Sequence, residues 1–153
     1  MASFVLFLTL IYAVGTRGQE PELSASIQSV FVGNGQTDHD NIVAIALNVI
    51  NTGTMQTIVK NWRVSIEANG QTYSAAFPLM PESFTFREIP SATPNQPTSV
   101  TLHSSDNLLE KSLSPIQVGA MSPGVLFVVF QNVDKSVFKA GVTYNVAFED
   151  VLS

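Results

Sequence analysis

Cysteine is absent from the 153 residues, and ionisable side chains are scarce. Asp, Glu, Lys and Arg together make up 12% of the chain, about half the roughly 25% of an ordinary soluble domain. The first absence excludes disulfides, thiolate-held zinc, iron–sulfur clusters, covalently attached haem and a cysteine nucleophile, because each needs sulfur chemistry that no other side chain supplies. The second leaves Ser, Thr, Asn and Gln to coat the surface. The seven Lys and Arg are scattered singly and the formal net charge is −5, so no basic stripe exists to neutralise a run of phosphates, and nucleic acid is disfavoured as a partner. No apolar run reaches the roughly 20 residues of a bilayer-crossing helix. At this length one globular domain is expected, too small for a cofactor domain joined to a substrate domain.

What is present begins with residues 2–14 (ASFVLFLTLIYAV), an uncharged apolar run followed by Gly15, Thr16, Arg17, Gly18, Gln19 and Glu20. About 13 apolar residues suit the core of a secretory signal, with Ala13 and Gly15 as small residues at cleavage positions. The start lacks Lys or Arg, which leaves open a retained membrane anchor and, beyond it, a buried element of the domain. The first two readings agree on an extracytoplasmic location: secreted, periplasmic or membrane-anchored. The division expected is 1–18 as signal or anchor, 19–23 as a polar linker and 24–153 as the folded domain.

Within the domain, residues 61–68 alternate: Trp62, Val64, Ile66 and Ala68 against Asn61, Arg63, Ser65 and Glu67, the period of a half-buried strand. Asn69-Gly70 tolerates positive φ at both turn positions, and Tyr73, Ala75 and Phe77 resume the alternation, which predicts a hairpin. Residues 41–51 (NIVAIALNVIN) and 124–131 (GVLFVVFQ) are almost continuously apolar and read as central strands. Residues 142–148 alternate again as a final strand, and 24–32, 84–89 and 98–102 complete the set with weaker patterns. Only residues 105–111 (SDNLLEK) read as helical, with Ser105 or Asp106 as the cap. Without crossover helices the strands must pair antiparallel. The fold expected is all-β: an antiparallel sandwich of two facing sheets, seven or eight strands and one short helix.

The run Asn51-Thr-Gly, Asn61-Trp62-Arg63, Leu109-Glu-Lys111, Pro115-Ile116, Gly119, Gly124-Val-Leu-Phe127 and Phe148-Glu-Asp150-Val resembles the immunoglobulin-like extracytoplasmic domains of uncharacterised bacterial secreted or membrane-anchored proteins. The resemblance spans most of the chain after the apolar start. It implies an immunoglobulin-like sandwich behind a signal or anchor, with these residues as structural punctuation and none of them catalytic.

Candidate chemistry is thin. Asp38, His39, Asp40 and Asn41 follow a glycine-containing loop and offer oxygen ligands, but they lack the bidentate twelfth-position Glu of an EF-hand. A solvated turn between strands explains them better. His39 and His103 are the only histidines, too few for a three-histidine zinc site. Ser104, Ser105 and Asp106 follow His103, yet neighbours in sequence do not build a relay by themselves. Glu149 and Asp150 are adjacent on a strand, where side chains point to opposite faces, unlike the paired acids of a glycosidase. Gly33 and Gly35 precede a polar turn, not a helix, so nucleotide binding has no support. No catalytic, metal or cofactor site is expected. Trp62 and Tyr73 could form a sugar platform, although the alternation directs Trp62 inward. The proline-interrupted apolar stretch 77–84 supplies the candidate partner-binding residues Phe77, Leu79, Met80 and Phe84, with folding back as a lid on the sandwich as the alternative. The function expected is a non-enzymatic protein-interaction or accessory structural domain with an unidentified protein or cell-envelope partner. A polysaccharide-binding module comes next, and a hydrolase is remote.

Overall fold

The structure is a computed structural model and describes residues 22–34, 41–87, 99–138 and 142–152. The apolar segment 2–14 and the Asp38 to Asp40 part of the acidic loop lie outside the described residues. Among the described residues there are eight strands: β1 (Leu23–Asn34), β2 (Asn41–Asn51), β3 (Thr57–Ala68), β4 (Gln71–Ser74), β5 (Ser83–Arg87), β6 (Ser99–His103), β7 (Met121–Phe130) and β8 (Thr143–Leu152). They form three antiparallel sheets, ordered β1-β2-β7, β4-β3-β8 and β5-β6. The all-β class and the strand count agree with the sequence.

The first two sheets face each other. Val43, Ile45, Leu47 and Val49 of β2 and Leu126, Val128 and Phe130 of β7 meet Val59, Trp62, Val64 and Ile66 of β3 and Tyr144, Val146 and Phe148 of β8 in one buried cluster. The third sheet was not anticipated as a separate layer. The β5-β6 hairpin lies on the outer face of the β1-β2-β7 sheet, where Phe86 and Leu102 pack with Ala44, Val125 and Phe127. Within the hairpin Thr85 and Thr101 share a hydrogen bond on the solvent side, while Phe84 and Phe86 turn inward. Both faces of β2 and β7 are therefore covered, which is why their sequences read as unbroken apolar runs. Strand β3 has one covered face and alternates.

Two bulges hide strand length from a period-two reading. In β3 the register shifts between Lys60 and Arg63, and Asn61 takes φ 53°. The extra residue puts Val59 and Trp62 on the same face although their numbers differ in parity. The alternation visible from Asn61 onward is thus only the second part of a strand that begins at Thr57. In β1 the shift between Ile27 and Ser29 puts Ile27, Val30 and Val32 toward the inner cluster and Phe31 toward the outer one. Strand β1 also begins one residue inside the expected linker, with the Leu23 side chain buried. The Asn69-Gly70 turn has positive φ at both residues, 52° and 74°, as a two-residue hairpin of this twist requires.

Strand β7 starts at Met121, not at Gly124, and runs through Pro123 opposite Asn48. A proline is tolerated here because Pro123 lies on the same row as Val129, whose backbone groups face Ala76 and not β2, so the missing amide points away from the β2 ladder. The helical stretch is also shorter and differently capped than expected. A 3-10 turn spans Ser104–Asp106, and α1 covers only Leu108–Lys111. Asn107, not Ser105 or Asp106, caps it, its Oδ1 accepting from the Leu109 amide at 3.1 Å. A Cβ on Gly124 would come within 2.7 Å of the Asp106 carbonyl and of Leu108, so only glycine lets this turn settle on β7.

Candidate functional site

The 77–84 stretch carries the chain around the β7 edge. Ala75 still donates to Val64 of β3 at 2.9 Å, whereas Ala76 exchanges two hydrogen bonds of 2.9 Å with Val129 of β7. The chain therefore leaves one sheet and joins the other within two residues. Phe77 packs against the inner cluster, and Met80 and Phe84 against the outer one. Phe84 is held edge-on by Phe86 and Phe127, with ring centroids 4.8 and 5.3 Å away. The four residues singled out in the sequence consequently do not share a surface. Three are anchors, and Leu79 alone projects, 99% exposed, between Pro78 and Pro81.

A second region, at the end of the domain where the chain leads into β1, was invisible as a unit in the sequence. Asn51 is fully buried at the end of β2, and every polar atom of its side chain is used. Its Nδ2 donates to the carbonyls of Met55 at 2.7 Å and Ile116 at 2.9 Å, and its Oδ1 accepts from the Gly53 amide at 3.0 Å. Its backbone joins Gly119 and Ala120, and the Glu22 carbonyl accepts from Thr52 and Gly53. Ile116 in turn exchanges hydrogen bonds with Thr57 of β3 at 2.7 and 3.2 Å. Segments far apart in sequence, 22–23, 51–57 and 115–120, are thus tied around one amide side chain. The only sequence signal for it is a polar residue ending an apolar strand ahead of Thr-Gly.

The remaining candidates are absorbed by the frame. Trp62 is buried, 5.0 Å from Phe148 between ring centroids, with its Nε1 donating to Ser112 Oγ at 3.3 Å. The indole is not available as a sugar platform. The half-buried Tyr73 donates its hydroxyl to Gln71 at 2.6 Å. Asn41, grouped in sequence with the acidic loop, is instead a buried β2 residue whose Nδ2 donates to the Val133 carbonyl. His103 ends β6 in an exposed position, and the Asp106 carboxylate accepts from its backbone amide at 3.3 Å. Glu149 is exposed and accepts from Asn61 at 2.6 Å and Arg63 at 3.3 Å, whereas Asp150 falls on the alternate row. Burial pushes the Asp150 carboxyl above its ordinary range, offset in part by a hydrogen bond from its own backbone. Burial also raises the Tyr144 phenol from 10.0 to about 12.

Among the described residues no three His, Asp or Glu side chains gather as a metal-binding group. A shallow depression of about 290 Å³ lies beside α1, lined in part by Gln28, Asn48, Asp106 and Lys111. Lys111 is already engaged there, its Nζ donating to the Pro123 carbonyl at 2.9 Å. Among the described residues no helix is long and apolar enough to cross a membrane.

No protein family, curated protein or solved structure matches this chain.

Proposed function

We propose that the chain is a non-enzymatic, extracytoplasmic protein-interaction domain with an immunoglobulin-like sandwich, of the kind found in bacterial secreted or membrane-anchored proteins. Residues 2–14 direct export and are either removed or retained in the membrane. The observation that carries the interaction reading is Leu79. A leucine that is 99% exposed on a loop braced by Phe77 on one side and Met80 and Phe84 on the other is a pre-organised apolar knob. Docking such a knob loses little loop entropy, so its apolar area contributes nearly in full to binding a partner's pocket.

A photo-crosslinking residue placed at Leu79 in the native cell tests this. A discrete adduct that is absent when the probe sits at Thr72, and that is competed by the unlabelled domain but not by its Leu79→Asp variant, supports the reading. Equal crosslinking at the two positions sinks it. Intact-mass measurement of the native protein tests export separately. A new N-terminus near residue 16 or 19, or an intact chain extracted from membranes, is expected, and an intact soluble cytoplasmic chain overturns the location.

A further inference from the structure

We propose that the end of the domain closed by residues 51–57 and 112–121 lies against the lipid bilayer, with Val118 and Met121 seated in the interfacial layer. The inference rests on the membrane-retained form of the proposed function. Its first support is topological. Leu23 of β1 pairs with Asn51, and Asn51 bonds to Gly119 and Ala120 on its other side. The chain leading out of residues 2–14 therefore reaches the domain two strand spacings, about 10 Å, from the 118–121 segment. Eight residues separate Val14 from Leu23, and fully extended they reach at most about 29 Å. A bilayer holding residues 2–14 is within that distance of this end of the domain.

The second support is chemical. Residues 51–59 and 112–133, which include both closing connections, contain no Asp, Glu, Lys, Arg or His. Val118 and Met121 are each 54% exposed, and Leu113 in the same connection 76%. The opposite end, around the Asn69-Gly70 turn, carries exposed Glu67, Asp134 and Lys135. Apolar side chains gain free energy on entering the boundary between headgroups and acyl chains, and desolvating charges there opposes it. Ionisable residues bordering the proposed surface are Glu22, where the chain joins β1, Asp150 on β8, Lys60 just past the 51–59 run, and Lys111, whose Nζ is held by the Pro123 carbonyl at 2.9 Å. The border is of mixed sign, two acids and two lysines, so the uncharged 51–59 and 112–121 segments rather than a net charge define the surface.

The absence of native cysteine makes the test direct. The full chain is prepared as three single-cysteine variants, Val118→Cys, Met121→Cys and Thr72→Cys, all at solvent-facing positions. Each is labelled with a small fluorophore and reconstituted in phosphatidylcholine vesicles with and without a lipid carrying a doxyl quencher. The expected result is co-flotation with the vesicles and several-fold stronger quenching at 118 and 121 than at 72. Co-flotation with equally weak quenching at all three positions overturns the surface assignment while membrane retention stands. A blue-shifted but unquenched label at 118 or 121 also overturns it, since a second copy or residues 1–21 would then cover this end. A chain that stays out of the vesicles overturns both the assignment and the retained form beneath it.

Discussion

Strand β2 of the β1-β2-β7 sheet and strand β3 of the β4-β3-β8 sheet are of similar length, 11 and 12 residues, yet their sequences look unlike. On β2, Ile42, Ala44 and Ala46 alternate with Val43, Ile45 and Leu47, and both rows belong to apolar clusters. On β3, Arg63, Ser65 and Glu67 alternate with Val64, Ile66 and Ala68, and only the second row is buried. The difference is the number of covered faces, because the β5-β6 hairpin lies over one sheet and nothing among the described residues lies over the other. An apolar run of strand length therefore reports a second layer, and clean alternation reports a solvated face.

The sharpest way to break this comparison is to place one charge on each outer face. Ala44→Asp puts an unpaired carboxylate under the hairpin and is expected to cost roughly 4 kcal/mol or more. Ser65→Asp, on the outer face of β3, is expected to stay within about 0.5 kcal/mol. Urea unfolding of both variants measures the contrast, and equal costs would show that the hairpin does not seal that face.

Next in size are two truncations, one in each cluster. Trp62→Ala removes an indole from the inner cluster and Phe86→Ala a ring from the outer one, where it touches Phe31 and Phe84. Each is expected to cost about 3–5 kcal/mol in one cooperative transition. A loss below about 1 kcal/mol for Phe86→Ala alone would make the hairpin a loosely held flap outside the cooperative core.

A smaller effect comes with pH. The folded Tyr144 phenol is raised from 10.0 to about 12, so the folded chain holds that proton more tightly than the unfolded one. The associated stability is fully present below about pH 10 and is lost as pH rises toward 12, amounting to roughly 2–3 kcal/mol. Urea midpoints compared between mildly and strongly alkaline solution should fall less in Tyr144→Phe than in the parent. Identical slopes would place the phenol in solvent.

The smallest expected change is Arg63→Ala on the solvated face of β3. Its 3.3 Å ion pair with Glu149 joins side chains that are 71% and 51% exposed, a setting in which such pairs contribute about 0.5 kcal/mol or less. A thermal midpoint lowered by many degrees would show that this face is not simply solvated.

Local chemistry explains what was legible beforehand. The Asn69-Gly70 turn is specified by two residues that accept positive φ, and the inward row of Trp62, Val64 and Ile66 by a period of two. Where one residue was inserted, at Asn61 or Gln28, the period broke and the strand read as shorter or weaker than it is. The candidate loop at 77–84 was found by its apolar composition, but composition could not separate anchors from a projection. Phe77, Met80 and Phe84 are anchors because the chain rounds the β7 edge between them, leaving Leu79 to project.

By itself the sequence determined the all-β class, a count of seven or eight strands against the eight described, the buried indole and the absence of cysteine chemistry. These follow from the patterning of side chains along an extended backbone, which each strand carries within itself. Only the tertiary structure decided that a third sheet covers the first, that Asn107 and not its neighbours caps α1, and that Asn51 ties three distant segments together. The covering sheet and the Asn51 tie depend on which surfaces meet across about 30 or more residues of intervening chain, the Asn107 cap on where the turn settles against β7, and a buried amide satisfied by three partners looks, in sequence, like any other Asn at a strand end.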